Sequence, residues 1–216
     1  RLTVSHSKDN QTRDRNNVQN PFRAIYDYNP YEPEFRLDAN GDFILDNDGN
    51  KIYNLTRNGF SIGEALINNP ELETYTNVLG NVFLTASPVD KLKVKTDFGF
   101  NYRLRDREYY ITPGSVLDGY VGDPNAPGIK QDNLDNRWQF NWTNTAAYQF
   151  TVADQHIFDA LIGTEYIKAD IRSQSLSGKG FPSRDFTTQD NASEITGGST
   201  SRDEWALWSM FANISY

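Results

Sequence analysis

Residues 91–111 alternate with a period of two. Leu92, Val94, Phe98, Phe100, Tyr102 and Leu104 share one parity, broken only by Thr96. Lys91, Lys93, Lys95, Asp97, Gly99, Asn101, Arg103 and Arg105 hold the other. In an extended chain successive side chains point to opposite faces, so the two sets are sorted onto two sides of a sheet. The texture returns over 136–152, where Trp138, Phe140, Trp142, Ala146, Tyr148, Phe150 and Val152 oppose Gln139, Asn141, Thr143, Thr145, Gln149 and Thr151. It returns over 203–216, with Ala206, Trp208, Met210, Ala212, Ile214 and Tyr216 on one side. Residues 156–175 alternate too, with a slip near Tyr166 and Ile167 that predicts a bulge. Residues 73–87 read as a further strand through Val78, Leu79, Val82, Phe83 and Leu84.

The connections alternate in length. Ser87-Pro88-Val89-Asp90 and Ala153-Asp154-Gln155 are tight turns, whereas 112–134 and 177–202 are long polar loops. The strands run well past the usual 5 to 6 residues and past the roughly 9 to 11 that cross a bilayer. Together these features predict an all-β fold: an antiparallel up-and-down transmembrane β-barrel segment with long extracellular loops and short periplasmic turns. The apolar face is rich in Trp and Tyr, which favour sites that are apolar at one end and wet at the other. Leu92, Val94, Phe98, Phe100, Tyr102, Trp138, Phe140, Trp142 and Trp208 are therefore expected to face lipid. A rival reading is a soluble carbohydrate-binding β-sandwich, whose apolar face would meet a second sheet.

Residues 1–8 read as the end of a barrel strand and 9–72 as an extracellular loop. That loop carries a small hairpin around Asp46-Asn47-Asp48-Gly49-Asn50 and a short helix at 61–69, capped by Ser61 with Glu64 three residues on. Residues 73–216 read as about five antiparallel barrel strands. Large transporter barrels use about 22 strands around a plug, so these strands form part of a wall in a longer protein.

Few chemistries are open to this chain. It has no Cys and two His, which removes thiol nucleophiles and Cys-based zinc sites and leaves little for a His-based triad. No catalytic residue and no cofactor is assigned, and the chain is read as not an enzyme. A net charge of −8 with scattered Lys and Arg gives no footprint for nucleic acid. Asp38-Asn40-Asp42 and Asp46-Asp48-Asn50 resemble the start of a calcium loop, but Phe43 and Lys51 stand where such a loop needs Gly. No metal is assigned. Binding is expected on the loops, where Tyr26, Tyr28, Tyr31, Arg107, Tyr109, Tyr110 and Tyr120 offer aromatic faces and donors for a ligand.

Several segments resemble the SusC/RagA family of TonB-dependent outer-membrane transporters. They include Asn20-Pro21-Phe22-Arg23-Ala24-Ile25-Tyr26-Asp27-Tyr28-Asn29-Pro30-Tyr31-Glu32-Pro33, Asn68-Asn69-Pro70-Glu71, and Val78-Leu79-Gly80-Asn81-Val82. Lys95-Thr96-Asp97-Phe98-Gly99-Phe100-Asn101-Tyr102, Leu161-Ile162-Gly163-Thr164-Glu165-Tyr166, Gly178-Lys179-Gly180-Phe181-Pro182 and Trp205-Ala206-Leu207-Trp208-Ser209 are similar to the family as well. The resemblance implies a bacterial outer-membrane importer of glycans or peptides with a SusD-like surface lipoprotein as partner. It implies energy from TonB through an N-terminal part that lies outside this sequence. A porin or a siderophore receptor of the same architecture is the remaining alternative.

Overall fold

The computed structural model describes residues 1–10, 29–47, 49–55, 59, 61–153 and 155–216. Tyr26, Tyr28, Asp48 and Asp154 lie outside them.

Six strands form one antiparallel sheet in sequence order. They are β1 (Leu2–Asn10), β2 (Glu71–Val89), β3 (Leu92–Ile111), β4 (Ile129–Val152), β5 (His156–Lys179) and β6 (Glu194–Ser215). Among the described residues two short α-helices, α1 (Ile62–Asn68) and α2 (Val116–Val121), and a 3-10 turn at Gln189–Asn191 sit in the connections. Among the described residues no second sheet stacks on this one, so the sandwich reading fails. No helix there is long and apolar enough to cross a membrane, which says nothing of strands.

The strands outrun the sequence pattern at the long-loop end. Alternation marked β4 only from about 136 and β6 only from about 203, yet β4 begins at Ile129 and β6 at Glu194. The loops shrink accordingly to 112–128 and 180–193. Beyond the apolar stretch both faces are polar, so pairing continues without a visible period. Arg107, Tyr109 and Tyr110, expected on a loop, lie in β3.

The slip at Tyr166 and Ile167 is not a bulge. Tyr166 pairs with Trp142 and Trp208, and Ile167 with Asn141 and Leu207, in unbroken register. The alternation weakens there because Leu161, Ile167 and Ile171 put apolar side chains on the mainly polar face, where Leu79, Phe83, Trp205, Leu207 and Phe211 also stand. The register shifts instead between Ala86 and Val89 and between Ser177 and Gly178.

The expected hairpin is part of a more regular unit. Phe35 bridges Tyr53, Leu37 bridges Phe43 and Leu45 bridges Lys51. Backbone bonds run from Ile44 N to Arg36 O, from Ile52 N to Ile44 O and from Arg36 N to Ile52 O. Three short segments spaced eight residues apart thus close a triangle. Gly41 and Gly49 turn the corners at φ +90 and +83, a region only Gly enters cheaply.

Candidate functional site

Cross-strand register defines two faces. On one, Val82, Phe98, Trp142, Tyr166 and Trp208 form a row across five strands. All nine residues expected to meet lipid stand on this face. Neighbouring rows bring rings together: Trp138 stacks on Phe140 at 5.8 Å between centroids, and Phe140 lies 5.9 Å from Phe98. Nearer the short turns a second belt joins Phe150, Phe158 and Tyr216, with centroids 5.3 and 5.1 Å apart. Many of these side chains are open to the surroundings; Trp208 is 62% exposed and Ile162 53%.

The other face is a polar ladder. Glu73 is buried and meets the Arg105 guanidinium, which also lies over the Tyr75 ring at 5.5 Å. Arg107 Nη2 lies 2.6 Å from Glu71, also buried. Arg103 donates to Asn77 at 3.1 Å. The carboxylates are buried while the guanidiniums stay about a third exposed, so removing either arginine would leave a buried negative charge without its partner. Further along, Thr143 donates to Glu165 at 3.3 Å. Near the short turns Lys95 Nζ lies 2.8 Å from Asp97.

A cap forms at the long-loop end. Ser61 accepts from the Glu64 backbone N–H and starts α1. The reciprocal arm of the expected capping box goes elsewhere: Glu64 Oε1 accepts from Val116 N at 3.0 Å and from the Asn68 side chain at 2.9 Å. That carboxylate ties α1 to α2. Asp118 does the same for the ends of its own loop, accepting from Gly114 N and Gly128 N at 2.8 Å each. Tyr109, Ile111 and Leu117 make a small buried core beneath, with Val116 and Ile129 against it.

The aromatic candidates separate in this frame. Tyr31 is 82% exposed and Tyr120 64%. Tyr109 and Tyr110 are each 5% exposed, so they fill the cap instead of offering open rings. Tyr110 packs edge-on against Phe181 at 5.3 Å and donates to Ser183 O. Burial, with the Asp118 and Asp185 charges nearby, pushes its phenol up to about 12. A groove of about 910 Å³ opens between the 35–55 unit and α1, with Arg36, Lys51, Tyr53, Ile67 and Arg184 among its lining residues. Lys51 Nζ also stands 3.7 Å over the Phe43 ring.

The two acidic turns are occupied by their own backbone. Asp38 Oδ1 accepts from Asn40 N and Asp42 N, and Asp46 Oδ1 from Asn50 N, all within 2.9 Å. Those backbone bonds hold the Asp38 carboxyl below the usual range. Among the described residues no group of three His, Asp or Glu is placed to hold a metal ion.

Solved structures carry the same long antiparallel meander. The chain matches the RagAB peptide transporter with a TM-score of 0.65 and 21% identity, covering 87% of this chain and 20% of that one. It matches the RagAB peptide importer in its open-open state with 0.64 and 20%, over 87% of this chain and 19% of that one. For the closed-closed state the values are 0.67 and 20%, over 99% and 24%. The chain thus spans about a fifth to a quarter of those chains. At such identity the likeness shows the fold. No protein-family model and no curated protein matches the sequence.

Proposed function

We propose that this chain is a wall segment of a SusC/RagA-type TonB-dependent importer in a bacterial outer membrane. The carrying observation is the register, which gathers an aromatic and aliphatic band on one face and Arg, Asn, Glu and Thr on the other. In lipid every backbone group needs a partner within the protein, and closed sheets provide one. The fold likeness to a peptide importer supports peptide or glycan uptake over catalysis.

In this reading the apolar face meets lipid and the Glu73–Arg105 face borders the lumen or a plug. Residues 9–72 and the two shorter loops lie outside the cell. Tyr31, Tyr120 and the groove beside Lys51 and Arg184 frame the entrance and contact substrate or a SusD-like lipoprotein; Tyr26 and Tyr28 belong to the same set. TonB acts through parts of the protein beyond this chain.

Spin labels placed singly along 138–147 of the full-length protein in lipid bilayers test the reading. Labels at 140, 142 and 146 should meet dissolved oxygen, and those at 141, 143 and 145 a water-soluble relaxer. A loss of this two-residue period would refute the membrane assignment. Co-purification of a surface lipoprotein with the importer, and loss of that association when 29–55 is replaced by a Gly/Ser loop, tests the partner.

A further inference from the structure

The apolar face does not end uniformly. Counted from the short turns, the row of Tyr102 and Trp138 continues into Asp170 on β5 and Glu204 on β6. The row below holds Lys168 and the row above holds Arg172 and Arg202. Five charges therefore stand on β5 and β6; in the rows of Lys168, Asp170 and Glu204 β3 and β4 carry aromatic rings, and in the row of Arg172 and Arg202 they carry Leu104 and Asn136. Three are cations and two are carboxylates, a positive surplus in a chain of net charge −8.

The group is organised around Asp170, which is 1% exposed. Arg202 donates to it through Nε at 3.2 Å and Nη2 at 2.6 Å, and Arg172 Nε lies 3.5 Å from Asp170 Oδ1. Glu204 takes Lys168 and a second contact from Arg202. The buried carboxylate thus sets two guanidiniums side by side while their side chains stay about half exposed, at 53% for Arg172 and 51% for Arg202. Each guanidinium has five N–H donors, more than these pairs consume.

The height of this group identifies what it meets. Phe158 in the lower aromatic belt and Lys168 are ten residues apart on one strand. That is about 34 Å along the strand, or about 26 Å across a bilayer at a tilt of roughly 40°. An outward apolar band in such barrels is about 25 Å tall. Lys168 therefore lies at the edge of the hydrocarbon, and the two arginines, paired four residues further along, stand about 10 Å beyond it on the side of the long loops, with side chains long enough to reach the headgroups.

Resting on the membrane reading above, we propose that Arg172 and Arg202, aligned by Asp170 and flanked by Lys168, form a binding site for the phosphate of a membrane lipid headgroup. Paired guanidiniums match phosphate oxygens in geometry as well as charge. The aromatic pair Tyr102 and Trp138 beside them borders the acyl chains of the same lipid.

The test uses the full-length protein in neutral detergent, with native mass spectrometry after addition of phosphatidic acid or of diacylglycerol with the same chains. The wild type should retain phosphatidic acid and not diacylglycerol. Arg172→Gln should lower retention by roughly fivefold. The paired variant Asp170→Asn/Arg202→Gln, which avoids leaving a buried carboxylate alone, should do the same. Arg103→Gln, on the opposite face, should change nothing. Equal retention in all variants overturns the site. Binding of inorganic phosphate with no preference for phosphatidic acid overturns the lipid as occupant. Quenching of Trp208 by brominated lipid, read as the difference from Trp208→Phe, separates the two readings. No quenching ends both; quenching with unchanged retention ends only this one.

Discussion

Gly163 lies directly opposite Phe211 across the β5–β6 ladder, and the Phe211 ring occupies the space a side chain at Gly163 would need. Both stand on the mainly polar face. The ring lies over Gly163, which is buried, and it can do so only because Gly163 has no Cβ. Gly163→Val should force the ring away and cost about 1 to 3 kcal/mol. Heat-modifiable mobility and the urea midpoint in detergent measure it, and adding Phe211→Ala should restore much of the loss. An additive double variant would show that the two residues do not compete for space.

Position along the strand should set the cost of a charge on the apolar face. Ile162 pairs with Ala146 and Ala212 near the middle of the band, whereas Phe100 shares its row with Phe140 and Lys168. Ile162→Arg should reduce folding stability by about 2 to 4 kcal/mol, and Phe100→Arg by about 0 to 1. Thr145→Arg, one residue from Ala146 on the opposite face, should be tolerated. Refolding yield into lipid vesicles measures all three, and a flat response across them would contradict the assignment of faces.

Asp118 closes the 112–128 loop by accepting two backbone N–H groups. Asp118→Ala removes both bonds, and because the Gly128 N–H is buried while Gly114 is exposed, it should destabilise the cap by about 1 to 3 kcal/mol, chiefly through Gly128. The sheet should persist. Protease cleavage within 112–128 should quicken while the band of strands stays protected; unchanged cleavage would show that the loop is held elsewhere.

Two groups outside the apolar band give the cap a pH dependence. Asp123 is held below the usual carboxylate range, first by the Lys179 side chain and then by the Asn125 N–H. Its contribution is present above the ordinary value of about 3.8 and lost as pH falls through the lowered one. Amide exchange over 122–126 should therefore speed up below pH 3.8 and not between pH 5 and 7. Tyr110 has the opposite sense: its raised value favours the folded form below pH 10 and loses that preference as pH climbs toward 12. Ultraviolet titration of wild type against Tyr110→Phe should show one phenol ionising near pH 12.

The parts of the molecule differed in how plainly they were written in the chain. Leu92 to Leu104 announced a strand because a two-residue period is local and every position repeats it. The ends of β4 and β6 were not readable, since Asp132, Asn133 and Asp135 look alike whether paired in a sheet or free in a loop. The triangular unit at 35–53 was read as one hairpin, although Leu37-Asp38, Leu45-Asp46 and Tyr53-Asn54 recur every eight residues. That spacing was the available signal.

The candidate site was less legible than the fold. Tyr109 and Tyr110 resembled ligand-contacting aromatics in sequence, and only the placement of α2 and Phe181 shows them buried. The grouping of Lys168, Asp170, Arg172, Arg202 and Glu204 needed the β5–β6 register, because residues about thirty positions apart cannot declare themselves neighbours.

Sequence alone determined that this chain makes long two-faced strands joined alternately by short and long connections, because side-chain direction in an extended backbone depends only on parity. Tertiary structure decided which charges share a row, which tyrosines are covered and where pairing stops. Those outcomes depend on cross-strand register and loop closure, which join distant residues and leave no local period.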